Sequence, residues 1–184
     1  MDVHLSKRNL AEIERSAEEA RKLVLTTQQP AHLDRYLHRS ESSPFPPEYS
    51  FYLLGDVRGK TVLDLGCGMG EIPLVRHGAN VIGIDSPELV ELAAKRLDAP
   101  GTEATLKVGF QLMKPVCNDG SIDVIFCMSL IHHLDIDKVS GEMLRVLAPT
   151  GYIVLKEPIR FQNRMRRFAS WFPNIATYRT SNTH

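Results

Sequence analysis

The chain has 184 residues, enough for one domain with a sizeable core, and its 22 basic and 22 acidic side chains leave no formal net charge. That balance gives no bulk attraction to nucleic acid or to an anionic membrane, no apolar run approaches spanning length, and the charged N-terminus does not resemble a signal peptide. Three cysteines without close pairing point to reduced thiols and a cytoplasmic setting; with His132 and His133 they have no zinc-site spacing, so no metal is expected.

Leu10, Ile13, Ala17, Ala20 and Val24 recur at helical spacing among charged residues, which predicts an amphipathic helix over residues 7–24. A second short helix is expected over residues 31–38, after Pro30, followed by a Ser/Pro-rich loop over 40–47. Residues 1–58 therefore read as a helical region. Its Tyr36, His38, Phe45, Tyr49 and Tyr52 are candidates to line an apolar pocket, with scattered core or surface packing as the alternative.

From residue 59 the pattern changes to strands alternating with helices. The apolar strand at 61–65 carries Asp64 and runs into Gly66, Cys67, Gly68, Met69 and Gly70. Glycines at alternate positions tolerate positive φ and let a ligand approach the backbone, and a helix starting behind them offers N–H groups to an anionic or polar ligand. A dinucleotide loop needs Gly-x-Gly-x-x-Gly, but Glu71 stands where its third glycine belongs, which disfavours a nicotinamide oxidoreductase. The helix that follows has room for about two turns before Gly78, with Pro73 in the first of them.

A second buried strand over 80–84 leads into Asp85, whose carboxylate can accept hydrogen bonds from both hydroxyls of a ribose. The alternative is that Asp85, or equally Ser86, caps a helix over 87–97 that has Pro87 at its first position. Further strands are expected over 104–108, 122–127 and 152–157, and a helix over 135–147. This alternation predicts an α/β, doubly wound, mainly parallel sheet with helices on both faces and ligands at the carboxyl ends of the strands.

The run from Asp64 to Gly70 resembles the first motif of the class I S-adenosylmethionine (SAM)-dependent methyltransferases. Ser121-Ile122-Asp123, His132-His133-Leu134 and Arg145-Val146-Leu147-Ala148-Pro149-Thr150-Gly151 resemble later motifs of that family, so the resemblance covers residues 60–158. It implies a Rossmann-like SAM-binding domain over 59–184, with residues 1–58 as an N-terminal lid. It implies cofactor contacts from Asp64, Gly66, Cys67, Gly68 and Gly70, from Asp85 and Ser86, and from Cys127 and Met128 at the end of the fourth strand. Phe110 and Gln111 are the implied adenine contacts. The histidines fall near the acceptor, with His133 as candidate general base; the alternative is that one histidine caps the helix near Asp135 while the other packs.

The implied reaction is methyl transfer to a small-molecule acceptor, with no nucleic-acid or membrane partner. A non-catalytic SAM-binding relative serving as a partner or scaffold subunit is the alternative, motivated by the short helix after Gly70 and the lack of an acid after the third strand. Relatives continue past the fifth strand with further strands. Here residues 159–184 fit one helix, with Ile159, Met165, Phe168, Ala169 and Phe172 near one face, and a short strand over 175–180. A fifth strand with a poorly covered outer edge predicts either a homodimer through that edge or a shortened form of reduced stability.

Overall fold

The structure, a computed structural model, describes residues 14–15, 18, 46–67, 71–96, 105–108, 117–157 and 170–171. Within these, five apolar segments form strands β1 (Thr61–Leu65), β2 (Asn80–Asp85), β3 (Thr105–Val108), β4 (Ile122–Met128) and β5 (Leu147–Lys156). They make one sheet of order β3-β2-β1-β4-β5 in which every pairing is parallel. The direction of winding reverses between β1 and β4, and in open sheets of this kind ligands bind outside the carboxyl ends of the strands at that reversal. The doubly wound expectation therefore holds, and it fixes where to look for the site.

Helices α1 (Pro46–Leu54), α2 (Glu71–Arg76), α3 (Pro87–Arg96) and α4 (Ile136–Val146), with a 3-10 turn at Ile131–His133, connect and flank the strands. Strands β1, β2 and β4 are buried on both faces, so their side chains divide between two cores. Leu63, Leu65, Ile84, Ile125 and Cys127 pack with Ile136, Val139, Met143 and Val146 of α4. Val62, Val81, Val124, Phe126 and Val154 pack with Phe51 and Leu54 of α1 and Leu74 of α2.

Helix α1 begins inside the segment expected to be a loop over 40–47. Its two leading prolines sit in a first turn, where backbone N–H groups have no intrahelical partner to lose. The Phe51 ring lies 5.3 Å from that of Phe126. The Tyr152 hydroxyl donates to the Leu54 carbonyl, and Lys60 Nζ stands 5.1 Å from the Tyr152 ring centroid. Tyr152 pairs with Val124 near the start of β4, whereas Phe126 is nearer its end. Helix α1 thus runs against the strand direction, with its Pro46 end toward the carboxyl ends of the strands. Tyr52, a candidate pocket residue, is instead 40 % exposed on the outside of α1.

Strand boundaries differ little from expectation except at β5, which begins at Leu147, directly after α4, rather than at residue 152. The pairing with β4 slips between Ile122 and Val124, and the Ala148-Pro149-Thr150-Gly151 stretch takes up the extra length. Gly151 is required there by space. A Cβ on it would stand 2.8 Å from Leu147 Cδ1 and 3.0 Å from the carbonyl oxygens of Ile122 and Asp123. Asp123 in turn accepts the Thr61 N–H at 2.8 Å, closing the amino edge of β1. Two of the motif residues that carried the resemblance, Asp123 and Gly151, therefore build the sheet. Glu14, Arg15 and Glu18 are helical and exposed, in line with the helix expected over 7–24. The rest of that helix, the one over 31–38, and the helix and strand expected after residue 158 lie outside the described residues.

Candidate active site

Two acids stand at the carboxyl ends of adjacent strands. Asp64 on β1 and Asp85 at the end of β2 are each 3 % exposed, although a carboxylate taken out of water is costly unless other groups compensate it. Between them the chain turns through Gly66, whose φ of +74° an L side chain rarely adopts. The Gly66 and Cys67 N–H groups both donate to the Ile84 carbonyl, at 2.9 and 3.3 Å, which pins the start of the glycine loop to β2 beside Asp85.

Ser86 settles the capping alternative. Its Oγ accepts the Leu89 N–H at 3.4 Å and its carbonyl accepts the Val90 N–H at 2.9 Å, so Ser86 is the N-cap of α3. Asp85 uses Oδ1 to accept the Ser86 N–H at 2.7 Å, which orients the carboxylate.

The other wall comes from the β4 exit. Ser129 takes a φ of +56°, uncommon for a residue with a Cβ, and its N–H donates to the Lys156 carbonyl at 2.7 Å. The chain then folds back so that Leu130 covers Gly66: a Cβ at Gly66 would lie 3.2 Å from Leu130 Cδ2. The glycine loop and the histidine turn are therefore in direct contact, and Gly66 is needed for both its backbone angle and its lack of bulk.

Glu157, immediately after β5, organises that turn. Its Oε1 accepts the Leu130 and Ile131 N–H groups at 2.9 and 2.8 Å, and its Oε2 meets His132 Nδ1 at 2.7 Å. The Glu157 side chain is 3 % exposed and that of His132 10 %. The His133 ring lies against His132, with centroids 3.8 Å apart and planes tilted by 45°. Neither histidine caps α4: Asp135 occupies that position, and its carbonyl accepts the Val139 N–H at 3.0 Å. The capping alternative for the histidines is thus overturned, and the ring that meets Glu157 is that of His132.

Cys67 and Cys127 are buried and unbridged. The Cys127 side chain belongs to the core beside α4, and burial foremost, then the Glu157 and Asp64 carboxylates, push its thiol far above the ordinary range. Met128 closes β4 and packs at the margin of the opposite core. Gly68, Gly70, Phe110 and Gln111 lie outside the described residues.

Sequence reasoning missed Glu157. The signal was present, since an acid directly follows the apolar run Tyr152-Ile153-Val154-Leu155-Lys156, much as Asp85 closes the apolar β2.

Residues 63–155 match the family described as Methyltransferase domain. Among curated proteins, a ubiquinone biosynthesis O-methyltransferase of Rhodopseudomonas palustris is 30 % identical over 105 residues, which are 55 % of this chain and 41 % of that protein. A demethylmenaquinone methyltransferase of Thermus thermophilus is 33 % identical over 104 residues, 53 % of this chain and 47 % of that one. The chain thus spans less than half the length of these relatives. A SAM-dependent methyltransferase of Aquifex aeolicus, solved as a crystal structure, is similar over 76 % of this chain and 71 % of its own, at 25 % identity and a TM-score of 0.54. The cofactor of this family is SAM, and paired buried carboxylates flanking a positive-φ glycine turn offer the acceptors and the close backbone that its ribose and amino-acid ends require. The chain belongs to the methyltransferase domain family.

Proposed function

We propose that this chain transfers the methyl group of SAM to a small-molecule acceptor at the carboxyl edge of its sheet. The observation that carries the reading is the placement of Asp64 and Asp85, both buried, on either side of the Gly66 turn and at the point where the winding reverses. SAM, when bound, supplies a methyl already activated on a sulfonium, so the protein has mainly to hold and orient two reactants and to exclude water. Such positioning can lower a barrier by about 7 to 11 kcal/mol.

In this reading Asp85 accepts the ribose hydroxyls, Asp64 and the backbone from Gly66 to Gly70 hold the methionine portion, and Phe110 and Gln111 receive the adenine. The turn from Ser129 to His133 faces the acceptor, held against the cofactor loop by the Leu130–Gly66 contact. The lid role of residues 1–58 is part of the same proposal, resting on the resemblance and on the Pro46 end of α1 lying toward the carboxyl ends of the strands. Relatives named for ubiquinone biosynthesis and for demethylmenaquinone support a small acceptor, and one of those names specifies transfer to oxygen.

A second reading, a cofactor-binding subunit without turnover, is favoured by the six-residue α2 with Pro73 inside it, a short support for the glycine loop. Titration calorimetry with SAM and S-adenosylhomocysteine tests the site, and a turnover assay reporting S-adenosylhomocysteine across an acceptor panel separates the two readings. Saturable SAM binding with product formation is expected; binding without turnover on any acceptor would leave the second reading standing alone.

A further inference from the structure

We propose that Glu157 is a positioning residue for SAM: by holding the Leu130 and Ile131 amides it keeps the Leu130 side chain on Gly66 and so sets the shape of the loop that receives the cofactor. The inference rests on the methyltransferase reading and deepens it by naming a residue that governs cofactor affinity through another. Three bonds tie the exit of β4 to the exit of β5. The Ser129 N–H donates to the Lys156 carbonyl at 2.7 Å, and Glu157 Oε1 accepts the Leu130 and Ile131 N–H groups at 2.9 and 2.8 Å. Ser129 is exposed, so no burial of its side chain accounts for its φ of +56°. A left-handed residue with a Cβ persists only where its surroundings over-determine it, and here these bonds do so.

Joining the two strands does not require a carboxylate. β4 and β5 are already paired from Val124–Tyr152 to Met128–Lys156, and water would satisfy the amides of a turn that ran out into solvent. Glu157 is instead 3 % exposed, and desolvating a carboxylate is costly unless its partners compensate it. What the arrangement achieves is the direction of Leu130. A Cβ on Gly66 would stand 3.2 Å from Leu130 Cδ2 and 3.3 Å from Leu130 Cβ, so the Leu130 side chain lies directly on the Gly66 turn. The Gly66 and Cys67 N–H groups fix the same turn to the Ile84 carbonyl. Asp64 and Asp85 flank it, so a Leu130 released from its amide bond loosens the span between both proposed cofactor contacts.

The test measures SAM affinity by calorimetry on the full chain, with the melting temperature of each variant recorded beside it. Glu157→Ala and Leu130→Ala should each weaken SAM binding roughly 3- to 30-fold, the range of coupling carried through intermediate residues. The double variant should bind no more weakly than the weaker single, because both changes break one linkage. Glu157→Gln should stay within about twofold of wild type, since its side-chain carbonyl still accepts both amides. A residue that only holds β4 to β5 would lower the melting temperature and leave affinity unchanged. Additive losses in the double variant, or a Glu157→Gln as weak as Glu157→Ala, would overturn the proposal. If Glu157→Ala does not fold, Leu130→Ala decides: affinity within twofold of wild type overturns the proposal, and a loss that Glu157→Gln does not share supports it. A wild type that binds no SAM would sink the methyltransferase reading and this inference with it, whereas binding untouched by every variant sinks the inference alone.

Discussion

At Gly151 the requirement is spatial, and two of the atoms that a Cβ would meet are backbone carbonyl oxygens of β4 that cannot turn aside. Gly151→Ala should therefore cost about 1 to 3 kcal/mol as overpacking does, read as a lower urea midpoint at constant slope; an unchanged midpoint would show that β5 can shift away. At the site, Asp85 and Ser86 are neighbours with separable duties. Ser86→Ala removes the cap of α3 and should cost about 1 kcal/mol of stability while leaving SAM affinity within twofold. Asp85→Ala should lower affinity by roughly ten- to a hundredfold, the equivalent of a lost charged hydrogen bond, and calorimetry on the two variants side by side checks the division. Cys127 gives a pH prediction. Its thiol stays protonated in the fold because burial disfavours the thiolate, whereas in the unfolded chain it ionises near pH ~8.5. Above that pH the unfolded state binds fewer protons than the folded one, so stability falls as pH rises. Cys127→Ala should flatten the loss of stability between pH 8 and 10 relative to wild type, in paired denaturant titrations; parallel curves would refute the burial argument.

Among the elements, β1, β2 and β4 were legible because each is a short apolar run buried on both faces, and β1 carried its acid and glycine signature in sequence. Helix α1 was not legible. Its prolines and serine neighbours read as a loop, and its burial rests on Phe51 and Leu54 clustering with Val124, Phe126 and Val154, residues 70 or more positions away along the chain. The β5 start was misplaced for a related reason: Pro149 and Gly151 look like turn residues, yet they ride a slipped pairing with β4. The site was legible where an acid and a glycine turn lie adjacent in sequence. Glu157 and His132 were not paired on paper because they are 25 residues apart and meet only when β4 and β5 align. Phe51→Ala tests whether α1 belongs to the fold. Loss of a wholly buried aromatic should cost about 3 to 5 kcal/mol, with a matching fall in melting temperature; a loss under about 1 kcal/mol would show α1 to be a detachable cover.

For the molecule as a whole, the two edges of the sheet have different work. The amino edge is closed by hydrogen bonds that need no ligand: Gly59 N–H to the Gly78 carbonyl at 2.8 Å, Asn80 N–H to the Lys60 carbonyl at 2.8 Å, and Thr61 N–H to Asp123. Arg145 adds a clamp there, reaching the Cys117 carbonyl at 3.1 Å while bonded to Asp119 and Glu142. The carboxyl edge instead gathers buried acids, two left-handed backbone turns and the Glu157-held histidine turn, the side on which SAM is proposed to bind. A ligand that binds only the folded state stabilises it by about 2.7 kcal/mol at a hundred times its dissociation constant. That gain should appear as slower amide exchange at one edge. Hydrogen exchange with saturating S-adenosylhomocysteine should slow residues 64–67, 85–86 and 129–133 more than residues 57–61 and 78–80, whose exchange should change only as far as global unfolding does. Equal slowing at both edges would mean that the ligand acts through overall stability alone, and slowing confined to the amino edge would move the site to the other end of the sheet.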